Sequence, residues 1–189
     1  MSDPSPHRSQ DRTIAVLVLG LGNVLLGDDG LGVDAVARLA RDYSIPAGVR
    51  LADGGTLGLS LLGLLAESDR VILVDAVRAD GLPGSLVRIA GDDVMDAVRD
   101  RLSPHQVGVA DVLDAARLID RYPNAVTLLG LVPHTLDLNT ERSDAVAANL
   151  DRLVAAVARE VEGLGYPMHP PCGPQGHAVG LDCGDRCGL

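Results

Sequence analysis

The chain has 189 residues, a formal net charge of −10 and a hydrophobic fraction of 47%. That length and composition point to one domain with a sizeable core, and the core must be aliphatic, because Phe and Trp are absent and Tyr occurs three times. An acidic surface repels nucleic acid and anionic membranes, and so few rings leave no stacking platform for single strands.

Residues 1–12 are polar and lack an apolar h-region, so they read as a disordered N-terminal tail and not as a secretory signal. Residues 15–19 form an apolar run that reads as a buried strand, and residues 31–42 carry the spacing of a helix. Between them lies a glycine-rich turn, Gly20-Leu-Gly-Asn-Val-Leu-Leu-Gly-Asp-Asp-Gly30. Such a strand-to-helix turn usually cradles phosphate, but this one presents two carboxylates, Asp28 and Asp29, where the anion would sit. Acids at that place suit a cation or a polarised amide.

A second strand, residues 49–52, ends at Asp53-Gly-Gly-Thr56, with Thr56 a plausible N-cap for a helix over 57–66. Residues 70–74 are a strong β-branched strand ending in Asp75. Residues 85–89 read as a shorter strand near an edge, and 124–132 contain a fifth. Ser103-Pro-His-Gln106 is a helix start, followed by an apolar stripe of Val109, Val112, Leu113, Ala116 and Ile119; Gly108 weakens the first turn and can delay the helix. Val146, Leu150, Leu153, Val154, Val157 and Val161 form one face of a last long helix. The alternation predicts an α/β fold: a three-layer α/β/α sandwich around a twisted, mostly parallel five-stranded sheet, over residues 13–164. From Gly165 the chain is rich in Gly, Pro, His and Cys, without periodicity, and residues 165–189 read as a loose tail. All three cysteines lie there, so no disulfide framework is implied and a cytoplasmic location is the default.

Ligands of open α/β sheets bind beyond the carboxyl ends of the strands. Those ends supply Asn23, Asp28 and Asp29, then Asp53, then Asp75, with His105 just ahead of a helix. A carboxylate such as Asp75, against so apolar a run, must be paired, capped or metal-bound. An Asp bonded to backbone at a strand edge is the bland reading, and a satisfied loop histidine is that of His105. In a first helical turn the dipole would keep the imidazole neutral, the form that binds metal. Two carboxylates and an imidazole leave coordination positions open and suit nickel, zinc or another borderline ion. A dinucleotide site fits poorly, since Leu25 stands where G-x-G-x-x-G needs its third glycine. A Walker loop fails because the chain has no Lys, and no Ser has G-x-S-x-G context. His169, Cys172, His177, Cys183 and Cys187 match no zinc spacing.

Taken together, the segment from Leu19 to Val33, Asp53-Gly-Gly-Thr56, Val71-Ile-Leu-Val-Asp-Ala76 and Ser103-Pro-His-Gln-Val-Gly108 resemble the NiFe hydrogenase maturation proteases in order and spacing. The resemblance covers roughly residues 13–163. It implies a cytoplasmic endopeptidase that trims the C-terminal extension of a hydrogenase large-subunit precursor after nickel insertion, acting as a monomer. It places the metal contacts and catalytic groups on Asp29, Asp75 and His105, and leaves Asp28 as a helix-start residue. Asn23, Asp53, Gly54 and Thr56 would handle substrate. Nickel would be borne by the substrate, with zinc or cadmium able to take its place in crystals. Nickel as a Lewis acid, and a carboxylate general base with nickel only orienting the peptide, are both compatible with that set. A nickel chaperone without cleavage and a Rossmann-type nucleotide module are the competing classes.

Overall fold

The computed structural model describes residues 12–99 and 108–170. Five strands, β1 (Ile14–Leu21), β2 (Val49–Gly55), β3 (Ser68–Ala76), β4 (Leu86–Ala90) and β5 (Ala125–Leu131), form one sheet in the order β2-β1-β3-β5-β4. All neighbours run parallel except β4, which is an antiparallel edge strand. That edge position matches its short length and half-exposed pattern.

Helices cover both faces. α1 (Leu31–Asp42), α5 (Asp144–Ala147) and α6 (Leu150–Gly163) contribute to one core with Val16, Val18, Ile72 and Val74. α2 (Leu62–Ala66), α3 (Asp93–Arg99) and α4 (Val109–Leu118) close the other over Leu17, Leu19, Val71 and Leu73. Successive strand residues thus feed opposite cores, so the strands are continuous apolar runs without polar alternation.

Four local expectations change. The helix expected from residue 57 is a 3-10 turn, Gly58–Leu61, that leads into α2, and Thr56 provides no side-chain cap. β2 runs on through Asp53-Gly-Gly55, with a register shift opposite Gly20 and Leu21 that absorbs the extra residue. The last helix is two helices. Ser143 caps α5 by accepting the N–H of Val146, and the stripe resumes in α6 without losing its spacing, which is why periodicity alone merges them. Finally, the ends of the domain reach further than residues 13–164. The Arg12 side chain is buried, with Nη1 donating to the Ser68 carbonyl at 2.9 Å and Nη2 to that of Tyr122 at 2.6 Å. Beyond Gly165, Met168 is buried in the α1/α6 core and Ser44 N–H donates to the His169 carbonyl at 2.7 Å. Residues 171–189 lie outside the described residues.

Candidate active site at the carboxyl edge of the sheet

In a sheet ordered β2-β1-β3-β5-β4 the chain leaves β1 towards β2 on one side and reaches β3 on the other. The crevice between the carboxyl ends of β1 and β3 is therefore the topological switch point, where open α/β sheets bind ligands. Gly20 of β1 lies level with Asp53 of β2 and Val74 of β3, so the ends of three strands converge there. Asp75 follows Val74 directly.

Backbone contacts hold this edge tightly. A Cβ on Gly32, in the first turn of α1, would collide with the Val74 carbonyl, and one on Gly22 would collide with that of Asp29. Gly22 also has a φ of +110°, a conformation that L residues rarely adopt. The glycines thus let the turn carrying Asp29 fold back onto β1 and let α1 start against the end of β3.

Asp28 and Asp29, adjacent in this turn, have different surroundings. Asp28 is fully buried. Its carboxylate accepts the N–H groups of His134 at 2.8 Å, Thr135 at 3.2 Å and Ser143 at 2.7 Å, and the Ser143 hydroxyl at 2.8 Å. Burial pushes the Asp28 carboxyl up, but the bonds from Ser143, His134 and Thr135 outweigh it and hold it below the ordinary carboxylate range. Oδ2 accepts three of these bonds and Oδ1 the fourth, so both oxygens are turned to the protein. Asp28 is therefore a structural anchor, a larger role than starting a helix. Asp29 is half-buried and accepts one N–H, from Asn23, at 2.6 Å. It is the acid of the pair with a side chain available to a ligand.

Asp75 is 2% exposed, and its Oδ1 accepts the following Ala76 N–H at 2.9 Å. Strand alternation puts it on the side of Val71, Leu73 and Val77, which is the face covered by α2, α3 and α4. The described chain resumes at Gly108, whose N–H donates to the Asp111 carboxylate at 2.8 Å at the start of α4 on that same face. His105 lies outside the described residues, three positions ahead of Gly108.

The remaining predicted positions border the crevice. Asn23 is half-buried, and its Oδ1 accepts the Leu25 N–H at 3.0 Å, which shapes the loop after β1. Asp53 and Thr56 are exposed at the end of β2, and Gly54 is buried against Leu19. Among the described residues no three His, Cys, Asp or Glu side chains gather as a metal site. The predicted set has only two members there, Asp29 and Asp75, and hard carboxylates at an open crevice fit a borderline divalent ion once an imidazole completes them.

Sequence reasoning missed the loop after β5. Arg142 donates through Nε to Asp34 at 2.7 Å and through Nη1 to the Gly27 carbonyl, and Ser143 clasps Asp28. These partners stand more than 100 residues from the turn they hold, so local spacing carries no signal for them; Ser143 could have been found only as a helix cap.

Comparisons with known proteins agree with this fold. A family model described as hydrogenase maturation protease matches residues 33–160. The chain is 43% identical over 155 residues to the hydrogenase expression/formation protein HupD of Rhodobacter capsulatus, covering 81% of this chain and 74% of that one. It is 35% identical over 156 residues to the hydrogenase 2 maturation protease of Escherichia coli, covering 82% and 95%. The solved structure of the hydrogenase maturating endopeptidase HybD from E. coli superposes with a TM-score of 0.79 at 34% identity, over 84% of this chain and 98% of that one.

Proposed function

The chain belongs to the hydrogenase maturation protease family, a family of peptidases, and from that membership we propose a nickel-checking endopeptidase. It removes the C-terminal extension of a NiFe hydrogenase large-subunit precursor, in the cytoplasm, after nickel has been inserted. The observation that carries this reading is the meeting of the Asp29 turn and the Asp75 strand end at the β1/β3 switch point. Asp29, Asp75 and His105 contact nickel seated in the precursor. Nickel supplies Lewis acidity and a fixed point of attachment for the substrate. Either carboxylate can take a proton from the attacking water. Asn23, Asp53, Gly54 and Thr56, around the mouth, guide the extension.

The test is cleavage of purified precursor followed by mass spectrometry. Asp75→Asn and His105→Ala should keep the fold and lose at least about 100-fold in rate, the scale of a lost acid–base or electrostatic group. Nickel-free precursor should stay uncut. Ordinary cleavage by both variants would remove these residues from the site. Equal cleavage of nickel-free precursor would remove the nickel check and leave the peptidase. A chaperone would bind the precursor without shortening it.

A further inference from the structure

The loop between β5 and α5 is a densely hydrogen-bonded excursion with an apolar tip. Its two ends, His134-Thr135 and Ser143, are tied to one carboxylate, that of Asp28. Its middle is stitched to the turn after β1: Asn139 N–H donates to the Leu25 carbonyl at 2.9 Å, and Gly27 N–H to the Asn139 carbonyl at 2.7 Å. Inside the loop, Thr135 Oγ1 donates to the Asp137 carboxylate, and Glu141 N–H donates to Asn139 Oδ1. Arg142, with its side chain 8% exposed, fastens the far end to Asp34 and Gly27.

On this fixed frame Leu138 is 84% exposed. Leu25, whose backbone is bonded to the next residue of the loop, is 53% exposed, and Val24 is 43% exposed. Gly22 N–H donates to the Gly55 carbonyl at 3.1 Å, which sets this turn beside the one carrying Leu57 and Leu59, both more than half exposed. Single exposed leucines are ordinary, but here five exposed apolar side chains stand on turns that are hydrogen-bonded to one another, with Leu138 and Leu25 on directly bonded segments. Its backbone needs no ordering on association, which is what makes apolar anchors effective.

We infer that Leu138, presented by the Asp28-clasped loop, and Leu25, on the turn after β1 to which that loop is bonded, are a docking surface for an apolar patch of the large-subunit precursor, beside its nickel-bearing end. The inference rests on the endopeptidase reading. Val24 and Leu25 belong to the same turn as Asp29, so a protein substrate held at Asp29 meets them first. The patch residues bring no charge of their own, so the complementary surface is apolar.

The experiment is steady-state cleavage of nickel-loaded precursor by the full chain. Leu138→Ser and Leu25→Ser should each raise KM about tenfold, with kcat within twofold and the melting temperature unchanged. Leu138→Met should behave as the original chain. Leu118→Ser, a control 87% exposed at the C-terminal end of α4, should change nothing. An unchanged KM overturns the docking surface and leaves the peptidase intact. A fall in kcat at constant KM also overturns it, because the loop would then act by ordering the acids. A dimer in sedimentation that Leu138→Ser dissociates would assign the patch to a second copy of this chain. If the original chain leaves the precursor uncut, the endopeptidase reading fails and this inference fails with it.

Discussion

Asp28 gathers donors that lie 106 to 115 residues further along the chain, and Asp29 accepts a single N–H from Asn23, six residues away. The long-range set closes the loop after β5 onto the turn after β1; the short-range one leaves a carboxylate at the crevice. Removing the first should cost stability, and removing the second should cost turnover. Asp28→Ala strands several buried donors and should destabilise the fold by about 3 kcal/mol or more; Asp28→Asn keeps an accepting oxygen and should cost about 1.5–3 kcal/mol. The pH dependence follows from the depressed pKa. Stability contributed by ionised Asp28 is fully present above the ordinary value of 3.8 and is lost as pH falls through the lower folded-state value. The difference in urea midpoint between the original chain and Asp28→Asn should therefore be constant from pH 7 to about pH 5 and shrink below about pH 4. An equal difference at pH 3 and pH 7 would mean that the charge of Asp28 is not what the four donors stabilise.

At the scale of elements, glycines separate into those that carry contact and those that do not. Gly32 lets α1 start against the Val74 carbonyl, whereas Gly63 in α2 has open space where a Cβ would go. Gly32→Ala should force the helix away from the end of β3 and destabilise by several kcal/mol, the upper end of overpacking costs, with turnover falling as the Asp29 turn shifts. Gly63→Ala should stabilise by about 0.4–1 kcal/mol through the unfolded chain. Denaturant titration of both variants checks the pair, and equal effects would refute the close approach. The same elements show how far sequence reached. Apolar runs and a period of 3.6 located all five strands and the exact span of α1, because burial on both faces writes itself into composition. α3 went unnoticed because seven residues give too few repeats, and its apolar face is only Val94, Met95 and Val98. The acids at strand ends were legible because a carboxylate closing an apolar strand is costly. The partners of Asp28 were not, since hydrogen bonds between distant loops leave no local pattern.

Across the whole molecule the two edges of the sheet divide the work. The carboxyl edge holds the Asp29 turn, the end of β3 and the clasped loop, where glycine contacts and buried acids replace plain apolar packing. The opposite edge is closed by the segments before β1 and after α6. Arg12 spans the starts of β3 and β5 through the carbonyls of Ser68 and Tyr122, and the segment after α6 lays Tyr166 over Gly48 and buries Met168. Among the described residues the contacts named at this edge join backbone carbonyls and core side chains, so they are expected to act on stability. Met168→Ala should remove about 2–3 kcal/mol, the lower range for deleting a buried Met side chain, because its site lies at the rim of the core and can partly collapse. For a chain of this length that is a fall of about 5–10 °C in melting temperature. KM and kcat for the precursor, measured well below that temperature, should stay within twofold, because the Met168 segment is bonded to Ser44, beyond the end of α1 that points away from the Asp29 turn. A changed KM would mean that the two edges are coupled through the strands, and that the segment after α6 belongs to the functional unit as well as to the fold.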